Sequence, residues 1–211
     1  KIGKSKWISK NLSKVFLLDG SWYLPNQKRN PRKEFEKIHI PGSQFFDIEL
    51  ISDQNNKLPH MIPDSKVFEK HVSNLGLKNL DHIVIYDGIG LQSAARVWWS
   101  FKVFGHQKIS ILNGGLPKWI SENRPTEKKV FKKIKTDYKA HFKKNYVKNY
   151  LQVIKNIKTK KEELIDARSK GRFDGIEPEP RKELISGNIS LNHMLNFSGF
   201  HVEGASSKSS K

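Results

Sequence analysis

The chain has 211 residues, 36% hydrophobic and 10% aromatic, enough for one large domain or one domain and part of another. Its formal charge of +18 is mostly lysine, since only seven of the 39 basic residues are arginine, and it points to an anionic partner without choosing between nucleic acid, lipid and a small anion. Cysteine is absent, which excludes disulfides, cysteine-ligated metals and thiol catalysis within these residues, and no apolar run approaches the roughly 18 to 20 residues that span a bilayer.

The basic start KIGKSKWISKNLSK leads into no long apolar segment, so neither an export signal nor a membrane partner is expected, and the location expected is cytoplasmic. VFLLD at 15–19 and SQFFDI at 43–48 then read as short buried strands. In the FFDIELISDQNNKLPHM stretch that follows, Glu49 and His60 stand eleven residues apart near a strand end. A carboxylate can orient an imidazole for proton transfer, while a histidine beside Pro59 in a loop can equally be a surface or packing residue.

A helix is predicted near 65–75, a strand at IVIYD 83–87, and a second helix at 93–104, with Gly76 and Gly105 as stops. The loop DGIGLQS between the second strand-helix pair offers backbone N–H groups where an anion can rest, although GIG alone is a weak signal. ISIL at 109–112 predicts a further strand, and NGG at 113–115 a tight turn into a helix at 115–122. Strands alternating with helices predict an α/β fold with an open, largely parallel sheet and helices on both faces. Ligands of such sheets bind beyond the carboxyl ends of the strands, which singles out the loops after Asp19, Asp47, Asp87 and Leu112.

From 127 to 161 lysine is interleaved with aromatic residues. A nucleic-acid face is one reading; a solvated linker and helix, in which lysine stems cover apolar surface, is the preferred one. ELIDARS at 163–169 then restarts the N-terminal pattern: His-Ile-Pro-Gly begins 20 residues after Asp19, and Asn188-Ile189-Ser190 begins 22 after Asp166. Three of the seven arginines, Arg168, Arg172 and Arg181, fall in DARSKGRFDGIEPEPR. Arg172 and Arg181 can clamp a small anion through their planar donor forks, or pair with Asp174, Glu177 or Glu179 at the surface. The final LNHMLNFSGFHVEGASSKSSK has no clear period and is expected to be disordered.

Taken together, LLDGSWYLP, HIPGSQFFDIE, LPHMIP, IVIYDG, SAARVWWSFKVFGH, ILNGGLPKW and DARSKGRFDGIEPEPR resemble, in the same order, the two-domain sulfurtransferases of the rhodanese superfamily, the thiosulfate and 3-mercaptopyruvate enzymes. The resemblance covers about 7–190 and implies a rhodanese-like sheet at 1–125 that is non-catalytic, a basic linker at 126–147, the incomplete start of a catalytic second domain at 148–190, and a tail outside the family at 191–211. It also implies sulfur transfer through a cysteine persulfide, from a small anionic donor to a thiol or cyanide-like acceptor, with no cofactor or metal and no nucleic acid. His60 matches the histidine of the family's Cys-His-Asp relay and Glu49 stands at the aspartate's place, one methylene longer. Arg172 and Arg181 match the substrate-binding arginines, and GRFDGIEPEPR favours the mercaptopyruvate branch. The pattern departs from the family after Gly187, so an inactive, C-terminally truncated fragment is expected, with a non-catalytic binding or regulatory module as the alternative.

Overall fold

The structure, a computed structural model, describes residues 2–179, 185–189 and 193–194. It divides into two compact units, Lys1–Tyr146 and Val147–Lys211. The first therefore extends past the boundary expected near 125 and takes in residues 126–146 of the basic linker expected at 126–147.

In the first unit five parallel strands form a sheet: β1 (Ile2–Gly3), β2 (Phe16–Asp19), β3 (Gln44–Phe45), β4 (Ile83–Tyr86) and β5 (Ile109–Leu112), in the order β1-β5-β4-β2-β3. All four residues of β4 are buried, as expected of a parallel strand covered on both sides. Alternate residues serve alternate faces. Leu18, Ile83 and Ile85 enter one cluster with Phe68 and Val72 of α3 (Ser65–Asn74) and Val97 and Phe101 of α4 (Ser93–Val103). Leu17, Val84 and Tyr86 enter the other with Ile8 of α1 (Ser5–Ser9) and Leu116 and Trp119 of α5 (Gly115–Ser121). The predicted strands and helices are thus present, and helices lie on both faces.

Several details exceed the sequence reading. A further helix, α2 (Pro31–Lys37), is capped by the Asn30 side chain, which accepts from the Lys33 amide, and has proline at its start. The NGG turn depends on its glycines: Gly115 has φ 55°, and a Cβ there would meet the Asp87 carbonyl at 2.5 Å.

The basic segment is held to the first unit. Glu127 and His39 exchange backbone hydrogen bonds of 3.0 and 2.9 Å, and the amides of His141 and Lys143 bond the carbonyls of Phe104 and Val103. Tyr138 is 1% exposed within the cluster of Phe68 and Phe101. Lysines dominate this strap, but one aromatic side chain fixes it.

The second unit contains α6 (Tyr150–Thr159), β6 (Ile165–Asp166), α7 (Lys170–Phe173) and β7 (His193–Met194), with β6 and β7 parallel. Asn149 and Gln152 cap α6 reciprocally. Arg181 and nearly all of the tail at 191–211 lie outside the described residues.

Candidate functional site

Strands β2 and β4 are neighbours, yet the chain leaves β2 toward the β3 edge and leaves β4 toward β5. Such a reversal opens a crevice beyond the carboxyl ends of the strands. A cavity of about 360 Å³ lies there, lined in part by Asp19, Ser21, Tyr23, Arg29, Glu34 and Leu116. Asp19, at the end of β2, is 2% exposed, and its Oδ1 accepts from the Ser21 amide (2.9 Å) and hydroxyl (2.5 Å). Burial pushes its carboxyl up to about 6 although both Ser21 bonds oppose the rise.

The loop after β4 encloses a second buried carboxylate. Asp87 Oδ1 accepts from the amides of Ile89 (3.1 Å) and Gly90 (2.6 Å), and Oδ2 from those of Gln92 (2.7 Å) and Ala94 (2.9 Å). Four N–H groups, of the loop and of the first turn of α4, converge as an anion cradle. The anion they hold is the chain's own Asp87, so these donors are not free as the sequence suggested.

Glu49 and His60 are brought together in the long connection between β3 and α3. His60 Nε2 lies 2.9 Å from Glu49 Oε1, so the longer glutamate still reaches the ring. The approach is off the N–H direction: Nε2 makes no aligned hydrogen bond, and the contact is electrostatic. Trp22, in the loop after β2, donates from Nε1 to the same Glu49 oxygen at 2.6 Å and sets its ring edge-on to His60 at 4.9 Å. Burial raises the Glu49 carboxyl, but the His60 and Trp22 contacts outweigh it and hold the group below its ordinary value.

The backbone of His60 is also constrained. Its φ of 57° is left-handed, uncommon for a residue with a side chain, and its carbonyl accepts from the Arg96 guanidinium on α4. Trp22 and Arg96 escaped the sequence reading. The signal for Trp22 was its place in the first loop beyond β2, one of the loops the topology singles out.

In the second unit Glu179 joins two arginines: Arg168 Nη1 donates to its Oε1 at 2.7 Å and Arg172 Nη2 to its Oε2. The Arg172 hydrogen bond, with burial opposing and Arg168 assisting, holds the Glu179 carboxyl below its ordinary value. Arg168 also grips Asp166 through Nε and Nη2. Arg172 is thus paired with Glu179, the alternative the sequence offered to an anion clamp, and both its Nε and its Nη2 donate to the one oxygen Oε2. Among the described residues no group of three or more His, Cys, Asp or Glu is placed to hold a metal ion, and no helix is long and apolar enough to cross a membrane.

A family model described as a rhodanese-like domain matches residues 6–122. The chain is 42% identical over 206 residues to thiosulfate/3-mercaptopyruvate sulfurtransferase 2 of Arabidopsis thaliana, covering 87% of this chain and 60% of that protein. It is 36% identical over 204 residues to the 3-mercaptopyruvate sulfurtransferase of Rattus norvegicus, covering 93% and 69%. The crystal structure of SseA from Escherichia coli, named as a 3-mercaptopyruvate sulfotransferase, superposes with a TM-score of 0.84 at 31% identity, covering 92% of this chain and 73% of that one.

Proposed function

This chain belongs to the rhodanese-like domain family, and from that premise we propose that it serves sulfur transfer of the thiosulfate/3-mercaptopyruvate type, with the reacting thiol supplied from outside these 211 residues. In this reading residues 1–125, closed by the strap up to Tyr146, are a non-catalytic rhodanese-like domain and residues 148–190 begin a second one. Two strand ends support the repeat. Asp19 Oδ1 accepts from the amide of Ser21, and Asp166 Oδ1 accepts from the amide of Arg168. Asp19 pairs with Phe45 across parallel β2 and β3, and Asp166 with Met194 across parallel β6 and β7.

The observation that carries the reading is the contact of Glu49 with His60, which spacing alone left ambiguous. A carboxylate at that distance can orient the imidazole for proton transfer. A cysteine thiolate attacks the sulfur of 3-mercaptopyruvate and forms a persulfide as the C–S bond breaks, its electron pair leaving on the enolate of pyruvate, which takes a proton; an acceptor thiolate or cyanide then attacks the outer persulfide sulfur and the cysteine thiolate departs. His60 passes protons to and from these sulfur groups. Arg172 and Arg181 hold the anionic end of the donor, which would take the place of Glu179 at Arg172. GRFDGIEPEPR favours 3-mercaptopyruvate as that donor.

The test extends this chain with a cysteine-bearing second rhodanese-like unit from a relative and measures sulfur transfer from 3-mercaptopyruvate to cyanide. Turnover is expected, falling at least about tenfold in His60→Ala, while Arg172→Ala raises KM for the donor. No turnover, or turnover indifferent to both substitutions, sinks the proposal. The absence of cysteine favours a second reading, a binding module. That reading predicts specific capture of a protein partner that Glu49→Gln and Arg172→Ala leave intact.

A further inference from the structure

Residues 128–135 read Lys-Lys-Val-Phe-Lys-Lys-Ile-Lys, five lysines and three apolar residues without an acid. All eight are exposed: Ile134 at 89%, Val130 at 47% and Phe131 at 44%. The lysine ion pairs among the described residues involve Lys139, Lys148 and Lys170, so none of these five lysines has an acidic partner there. Lysine stems do not cover Ile134, and the solvated-linker reading leaves that apolar side chain unexplained.

The backbone beneath is pinned. Glu127 bridges to His39 just before the stretch, and the Phe131 carbonyl accepts from Gln44 Nε2 at 2.9 Å. Just after it, the Thr136 amide bonds the Ser73 carbonyl at 3.0 Å and its hydroxyl the Leu77 carbonyl at 2.6 Å. A partner therefore meets a fixed strip of cationic and apolar side chains, with little ordering left to do.

Two polyanions suit the charge, and the apolar side chains separate them. Nucleic acid would use the lysines, and Phe131 could stack on a base, but Val130 and Ile134 have no role against phosphate and sugar. At a lipid surface the lysines meet the headgroup field while valine, phenylalanine and isoleucine enter the apolar boundary. Lysine in place of arginine also suits a diffuse field over a planar, two-pronged contact. We propose that residues 128–135 form a peripheral contact for an anionic bilayer surface, which needs no membrane-spanning helix.

The test is co-sedimentation of the full 211-residue chain with vesicles of phosphatidylcholine alone and of phosphatidylcholine mixed with phosphatidylserine, at low and high salt. Binding is expected only to the anionic vesicles and should fall with salt. Lys132→Ala with Lys133→Ala should weaken it about 25-fold, about fivefold per lysine. Phe131→Ser with Ile134→Ser should weaken it about tenfold or more; these positions are exposed, and unchanged thermal unfolding of each variant checks that the fold survives. Three results overturn the proposal: no binding to anionic vesicles at low salt, binding indifferent to the Phe131 and Ile134 changes, or a single-stranded oligonucleotide bound more tightly than the vesicles through the same lysines.

Discussion

Glu49 is held by two neighbours of different character, the His60 ring and the Trp22 indole N–H. Replacing Trp22 by Phe removes the hydrogen bond and keeps an aromatic ring beside His60, so the Glu49 carboxyl should titrate at higher pH; carbon-13 NMR of that carboxyl checks it, and an unmoved midpoint would show that the indole bond is idle. Because the folded Glu49 value is lowered, its stabilising contribution is present above the unfolded value and is lost as pH falls through the folded one. Asp19 behaves in the opposite sense. Its folded value, raised to about 6 from 3.8, means stability that is complete below the unfolded value and lost as pH rises through about 6. Asp19→Asn keeps an oxygen for Ser21 but carries no charge, so relative to the unmodified chain it should gain stability from pH 4 to 7, by on the order of 2–3 kcal/mol. Chemical denaturation of both proteins across that range measures the difference, and a constant difference would show that Asp19 does not titrate within it. Neither environment was legible from residue type: the sequence named Glu49 and His60 as a pair, but the indole bond and the burial of Asp19 arise from loops that the sheet topology brings together.

At the scale of elements, legibility followed how much of each element's apolar face repeats. β2, β4 and β5 are short, mainly apolar and largely buried runs, and α3 and α4 show a helical apolar period, so each was read close to its observed bounds. Helix α2 buries only Phe35, too little for a period; the Asn30-Pro31 start was the available signal. The strap was hardest, because its lysines speak for solvent while its attachment rests on backbone bonds and on Tyr138. His106 explains part of that attachment: Nε2 faces the Asp81 carbonyl at 3.0 Å and must donate, which leaves Nδ1 to accept from the Tyr138 hydroxyl at 3.2 Å. Tyr138→Phe should therefore cost about 1 kcal/mol. Tyr138→Ala should cost about 3–5 kcal/mol, because it also opens a cavity among Phe68, Phe101 and Phe104. Urea denaturation distinguishes these values from the change of under about 0.5 kcal/mol expected if the strap were a loose linker.

For the molecule as a whole, the sequence revealed the kind of sheet and the family because seven separated motifs occur in one order, whereas the extent of the first unit depended on contacts between residues far apart in the chain. Both hydrophobic clusters consist of residues between Ile8 and Ala140. A fragment of residues 1–146 should accordingly fold by itself and unfold in one cooperative transition, whereas residues 1–125 should not, since that cut removes Tyr138 from the core and the Glu127 partner of His39. Circular dichroism with thermal unfolding of the two fragments tests this, and an equally stable 1–125 fragment would return the strap to the status of a linker. Chemistry follows a different boundary. Neither fragment nor the 211-residue chain carries a thiol, so each should transfer no sulfur from thiosulfate or 3-mercaptopyruvate to cyanide above a buffer blank. Turnover by any of the three would mean that a group other than cysteine takes up the sulfur.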